Sequence, residues 1–212
     1  MPSLPLIILA SASPRRRAFM KMLGLPFTVH TADIDETPLP DEMPTTLVCR
    51  LSREKAQAVA QTQQTALIIA ADTIVILDDQ ILGKPNNEAD AERMLQAMRN
   101  RYHEVYSAVS LFYGPDARSL TYLSQTTVRM RNYSQAEIAA YIATGDPMDK
   151  AGAYAIQHPD FAPVAGLSGC YAGVMGLPLN LLARGLAEFG IPIENLGHRC
   201  ASYTGQACCV IN

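Results

Sequence analysis

With 212 residues, the chain is long enough for one substantial core and too short for a repeat array or a large multidomain assembly. Its 49% apolar and 17% charged residues are globular composition and exclude a mostly disordered chain. Seventeen Lys and Arg against twenty Asp and Glu leave a formal charge of −3, so no global basic field exists to hold polymeric nucleic acid, and any polyanion must be met locally.

Leu6-Ile7-Ile8-Leu9-Ala10 is a continuous apolar run, the mark of a strand buried on both faces. A helix follows at once: Ser13 is a good N-cap, Pro14 suits the first helical position, and Gly24 ends the helix after Leu23. Residues 27–31 read as a second strand and 33–38 as an acidic loop. Over 46–61 the spacing of Val48, Leu51, Lys55, Ala58 and Val59 predicts one helical face, with Lys55 on it. Residues 66–77 form a β-rich apolar run carrying Asp72 and Thr73 in its middle, and Asp78-Asp79 predicts a hairpin turn to Ile81 and Leu82. A helix is expected over 88–99, strands over 105–113 and 120–130, a helix opened by the Ser134/Glu137 capping box and ended by Gly145, and a last helix over 179–189. Strands and helices interleave, so the class is α/β with a mixed sheet. Residues 1–192 read as one domain, and residues 193–212, without clear periodicity, as a tail of unknown role.

No apolar run approaches the roughly 20 residues of a spanning helix, so no membrane partner is expected. Ala10-Ser11-Ala12 imitates a signal-peptidase site, but Pro5 interrupts the run before it and three arginines follow it, the wrong polarity for export. A cytoplasmic location is the expectation. The five cysteines, Cys49, Cys170, Cys200, Cys208 and Cys209, lack paired C-x-x-C units, which favours thiols on a loose tail over a zinc site with His198. His30 and His103 are expected to be satisfied structural histidines.

Chemistry concentrates at two places. A loop leaving a buried strand and entering a helix offers unpaired N–H groups and a positive dipole end, and Ser11, Ser13, Arg15 and Arg16 add donors: an anion cradle without the glycines of a P-loop. An unpaired carboxylate inside an apolar strand costs several kcal/mol, so Asp72 calls for a cation, a metal or dedicated donors beside it. Lys55 and Lys84 are candidate phosphate-binding cations, and Asp35 and Glu36 a second carboxylate locus. Taken singly each has an ordinary structural explanation. Together they are the parts needed to hold a polyphosphate bound to a divalent cation, Mg²⁺ or Mn²⁺.

These residues occur in a familiar order: 9–16 (Leu-Ala-Ser-Ala-Ser-Pro-Arg-Arg), Asp35-Glu36-Thr37, Glu54-Lys55-Ala56, Ala71-Asp72-Thr73, Gly83-Lys84-Pro85, 149–157 (Asp-Lys-Ala-Gly-Ala-Tyr-Ala-Ile-Gln) and Gly176-Leu177-Pro178. In these motifs the chain resembles the Maf family of septum-formation-associated nucleotide pyrophosphatases over about residues 4–190. The resemblance implies a two-lobed α/β fold around a long mixed sheet, similar to that of inosine triphosphate pyrophosphatases. It implies a cytoplasmic enzyme that cleaves a small nucleoside triphosphate to the monophosphate and pyrophosphate with a divalent cation, in a family whose members often form homodimers. By matching position, Asp72 is the proton acceptor, and Ser11, Arg15, Glu36, Lys55 and Lys84 belong to the metal and phosphate site, Glu36 and Asp72 towards the metal. Arg15, Thr73 and Gln157 stand where family subgroups differ, and this trio resembles the dTTP/UTP type, with modified pyrimidine nucleotides as further substrates. A carboxamide at Gln157 offers both a donor and an acceptor to a uracil or thymine edge.

The chain departs from the family pattern in three stretches. Residues 100–107 follow Gly-x-x-His-x-Val-x-Thr only loosely, a Pro-containing loop at 158–170 replaces a glycine-rich basic segment, and the tail from 193 has no counterpart. Whether Asp72 acts as base, as metal ligand or as both stays open at this level. So do two alternatives: a pyrophosphatase for 7-methyl-GTP or inosine-type triphosphates, and a nucleotide-binding regulator of cell division that does not hydrolyse.

Overall fold

β1 (Ile7–Leu9) is buried on both faces, as its unbroken apolar run requires, and lies parallel to β2 (Thr28–Val29) and to β3 (Leu67–Leu77). The computed structural model describes residues 5–208. β3 turns through Asp78 and Asp79, both at positive φ (51° and 62°), into antiparallel β4 (Gln80–Leu82), the geometry of a tight two-residue hairpin. On its other edge β3 pairs with β5 (Tyr102–Tyr113), which pairs in turn with β6 (Arg118–Met130), and β6 with β7 (Val164–Ser168), all antiparallel. The result is a seven-stranded mixed sheet of order β2-β1-β3-β5-β6-β7, with β4 attached to β3.

The sheet forks along β3. β1 pairs with Leu67 to Ile69 and β4 with Val75 to Leu77, so between these two stretches one edge of β3 has no strand beside it. Asp72 and Thr73 lie in that gap, and β5 alone holds the strand there. Ligands of open α/β sheets gather where neighbouring strands diverge in this way.

Strand alternation sends the two residues to opposite faces. On the Asp72 face, α2 (Pro44–Ala60) packs Val48, Ala56 and Val59 over Ile68, Ala70, Ile74 and Ile76. The Thr73 face is covered by α1 (Pro14–Met22), α3 (Glu88–Met98), α4 (Gln135–Ala143) and α6 (Leu179–Glu188), with the short α5 (Tyr171–Val174) beside them. Fully buried Leu95, Leu182 and Leu186 in this layer each contribute about 1.5–3 kcal/mol of burial energy. The helix signals read from sequence hold: Ser13 Oγ accepts from Arg16 N, Gly24 takes φ +72° after α1, and Ser134 and Glu137 form the reciprocal capping box of α4.

Four expectations need correction. β2 is two residues long rather than five, and His30 lies just past it, exposed instead of structural. The 158–170 loop contains edge strand β7, which β6 recruits although its own sequence shows little alternation. The tail is not loose: α7 (Leu196–Thr204) packs onto α1. Arg199 donates to Leu23 O at 2.9 Å, Tyr203 rests on Phe19 with ring centroids 5.3 Å apart, and Cys200 is buried. These contacts are particular rather than periodic, and a guanidinium is well placed on the open carbonyls of a helix C-terminus. Cys209 lies outside the described residues.

Candidate active site

The cleft opens at the fork. Lys55, projecting from α2, donates from Nζ to Asp72 Oδ1 at 2.6 Å and pairs with Glu36 Oε1 at 2.7 Å. Glu36 reaches in from the acidic loop, which an Asp35 Oδ1 bond to Thr37 N shapes locally. Asp72 is only 7% exposed, and desolvation raises its pKa against the opposing pull of Lys55. Its Oδ2 has no protein partner among the described residues.

The other face of the strand holds Arg16. Its Nε donates to Gly176 O at 2.8 Å, Nη1 to Ser11 Oγ at 3.3 Å and Nη2 to Thr73 Oγ1 at 3.4 Å. Ser107 Oγ donates to Gly173 O at 2.7 Å, which leaves Thr73 to donate to Ser107 Oγ across 2.8 Å. A relay of donors thus ties α1 to β3, β5 and the 173–176 turn. Desolvation lowers the Arg16 pKa, with Asp72 as the largest opposing influence. Gly176 sits at φ +105°, and a Cβ there would stand 3.4 Å from Arg16 Nε, so the close approach suits glycine.

Ser11, Ser13, Arg15, Arg16, Glu36, Lys55, Asp72, Thr73, Lys84 and Gln157 all line one cavity of about 800 Å³, whereas Asp35, the other half of the expected carboxylate locus, does not reach it and accepts from Thr37 N instead. They do not play equal parts. Ser13 caps α1, and each nitrogen of the Arg16 guanidinium already has one protein acceptor. Arg15 and Lys84 have no ion pair among the described residues, and Arg15 Nε is buried with no hydrogen-bond partner. Two uncommitted cations facing a cavity next to a helix N-terminus are an arrangement able to receive an anion.

Sequence reading missed the far wall as a set of site residues, although it quoted that stretch. Lys150 pairs with Asp149 at 2.6 Å and with Asp146 at 3.0 Å and is nearly buried. Gly152 N donates to Gly83 O at 3.0 Å, joining this wall to the Lys84 loop, and Gly152 at φ +69° lies against Val75 where a Cβ would come within 3.1 Å. Tyr154 shares a 2.8 Å hydrogen bond with His103 Nε2 from β5. His103 is not fully satisfied: its Nδ1 is buried without a partner, and desolvation lowers its pKa to about 4, so the ring is neutral. No local pattern marks this pair, because its members are 51 positions apart.

Among the described residues no group of three or more His, Cys, Asp and Glu forms a metal cage. Asp72 and Glu36, drawn together by one lysine, instead match the donor set of an ion that takes one or two carboxylates and fills the rest of its shell with phosphate oxygens and water. The residues present therefore fit a divalent cation brought with a polyphosphate.

With this geometry in hand, the sequence can be set beside known proteins. The family model described as Maf-like protein matches residues 6–189, and the chain belongs to that family. It is 43% identical over 204 residues to the dTTP/UTP pyrophosphatase of Thermomicrobium roseum, covering 95% of this chain and 92% of that one. The dTTP/UTP pyrophosphatase of Pelotomaculum thermopropionicum is 44% identical over 184 residues, covering 87% of this chain and 96% of its own. Among solved structures, the Ham1 protein of Staphylococcus aureus aligns over 59% of this chain and 72% of its own with a TM-score of 0.44 and 17% identity.

Proposed function

We propose that this chain is a nucleoside triphosphate pyrophosphatase that hydrolyses dTTP and UTP, and modified pyrimidine triphosphates of the same edge chemistry, to the monophosphate and pyrophosphate. One observation carries the reading: a desolvated carboxylate with one open oxygen faces two uncommitted cations across a single cavity. Full-length relatives more than 40% identical and named for that activity support it.

In this reading the Ser11 to Ser13 loop, Arg15 and Lys84 receive the phosphate chain, with charge neutralised on the pyrophosphate that leaves. Water attacks the α phosphorus in line, one P–O bond forms and the α–β anhydride bond breaks. Lys55 occupies Asp72 Oδ1, which leaves Oδ2 to take the proton of the attacking water. Asp72 and Glu36 are the residues that would hold a divalent cation, which when bound supplies charge neutralisation and a lowered pKa for nearby water. Arg16 does not meet the phosphates directly; it fixes Ser11 and Thr73 relative to one another. Action in the cytoplasm belongs to the same reading. Among the described residues no helix is long and apolar enough to cross a membrane.

The test is a panel of triphosphates assayed for pyrophosphate with and without Mg²⁺ or Mn²⁺. UTP and dTTP should be cleaved fastest, with pyrophosphate the sole inorganic product and a dependence on the cation. Release of orthophosphate, preference for 7-methyl-GTP or inosine triphosphate, or tight binding without turnover would each overturn the reading.

A further inference from the structure

Beside the main cavity lies a smaller one of about 290 Å³, which shares Arg15, Lys150 and Gln157 with it and adds His158 and Pro159. His158 opens the stretch in which this chain leaves the family pattern, and the structure holds its ring firmly. Phe161 N donates to His158 Nδ1 at 3.0 Å, and Ala162 N donates to His158 O at 2.9 Å. The imidazole stands edge-on to Tyr141, with centroids 4.8 Å apart, and Tyr141 is itself stacked on Phe161 at 4.3 Å. Tyr141 is fixed in turn by bonds to Asp146 and Ala155 N.

An imidazole whose Nδ1 accepts a hydrogen bond carries its proton on Nε2. That N–H has no acceptor among the described residues. The carboxamide of Gln157, the residue immediately before it, is exposed and lines both cavities, and brings donors and an acceptor. Together the two residues offer two donors and one acceptor, and the carboxamide can turn either end towards the ring. Uracil and thymine present acceptor, donor and acceptor along O4, N3–H and O2, whereas cytosine places a donor at N4 and an acceptor at N3. With the His158 N–H on O4, the Gln157 carboxamide completes a uracil or thymine edge by accepting from N3–H and donating to O2, whereas cytosine sets its N4 donor against the imidazole N–H; on O2 the imidazole would serve either base equally.

We propose that His158 is a specificity-determining residue that donates from Nε2–H to O4 of the base and, with Gln157, selects uracil and thymine over cytosine. The proposal rests on the pyrimidine triphosphatase reading above. A site built to bond one edge rejects the edge that leaves its polar groups unpaired.

The test compares kcat/KM for UTP and CTP in wild type, His158→Asn and His158→Gln. Asparagine keeps an oxygen where Nδ1 accepts from Phe161 N–H and so preserves the turn, but it has no donor at the Nε2 position; glutamine extends an amide N–H towards it. His158→Asn should lower the UTP over CTP preference about tenfold with an unchanged melting temperature, and His158→Gln should recover part of it. An unchanged ratio, or equal loss on both substrates, would overturn the proposal. In the unaltered protein, ¹⁵N imidazole spectra should show the His158 Nε2–H resonance shifting with UMP and not with CMP; equal responses would count against it whatever the variants do. Wild type that releases pyrophosphate from no pyrimidine triphosphate would sink the underlying reading itself, an outcome distinct from a failure of His158.

Discussion

Helix α2 carries two clusters of cation and carboxylate, and they are built for different ends. At the first, Arg50 binds Glu42 through Nε at 2.7 Å and Nη2 at 2.8 Å, Glu54 through Nη1 at 3.0 Å, and Thr37 O at 3.1 Å. Glu42 Oε2 also accepts from Leu39 N, and these bonds hold its pKa down to about 2. At the second, Lys55 draws in Asp72 and Glu36 but bonds one oxygen of each, and desolvation raises Asp72 instead. A saturated pair is a clasp that stabilises both charges; an unsaturated pair in a dry cleft is, in the proposed mechanism, a reagent kept ready. The clasp serves the reagent, because the loop it fastens is the one that delivers Glu36.

The sharpest way to break this contrast is Asp72→Asn, which should cost about 10³-fold or more in kcat and leave the melting temperature no lower. Pyrophosphate release and a thermal melt measure both, and retained turnover would mean that the carboxylate is not the reagent. Next comes Lys55→Met. Its loss removes the largest influence lowering the Asp72 pKa, so kcat should fall about 10²-fold. The acidic limb of the kcat/KM profile should also move to higher pH, because Asp72 must be ionised to act. A limb that stays put would dissociate Lys55 from the titration.

Arg50→Ala tests the clasp. With Thr37 and Glu42 released, KM for UTP should rise several-fold with kcat nearly kept, and the melting temperature should drop; a kcat effect as large as that of Lys55→Met would erase the distinction. The smallest effect is a pH slope. Glu42 binds its proton less readily folded than unfolded, so its stabilisation is complete above pH 4.5 and fades as pH falls towards 2. Glu42→Gln should flatten the melting-temperature profile in that window. His103 adds a separate slope higher up: neutral in the fold down to about pH 4 but protonated below 6.5 when unfolded, it withdraws stability as pH falls between those values.

The two clusters also show what a sequence can disclose. Asp72 was visible because an apolar run made it anomalous, and Lys55 because helical periodicity placed it on a buried face. Arg50 and Glu42 gave no such contrast, since a charge in a loop and one on a helix look alike in sequence whether clasped or solvated. The part assigned to Arg16 was half legible: its nearness to the cradle follows from the helix start, but its acceptor at Gly176 lies 160 positions away. The His103–Tyr154 pair and α7 were hidden for the same reason, being decided by contacts between distant segments and not by local pattern.

One consequence of the fork in β3 concerns the history such a chain can have. Around position 72 the neighbours on the same face, Ala70, Ile74 and Ala108, are nearly dry, so valine or leucine there would continue the core and lift the melting point. Selection for heat resistance alone should therefore discard the carboxylate early, and its persistence in a working lineage would record that turnover, not robustness, was under selection at this position.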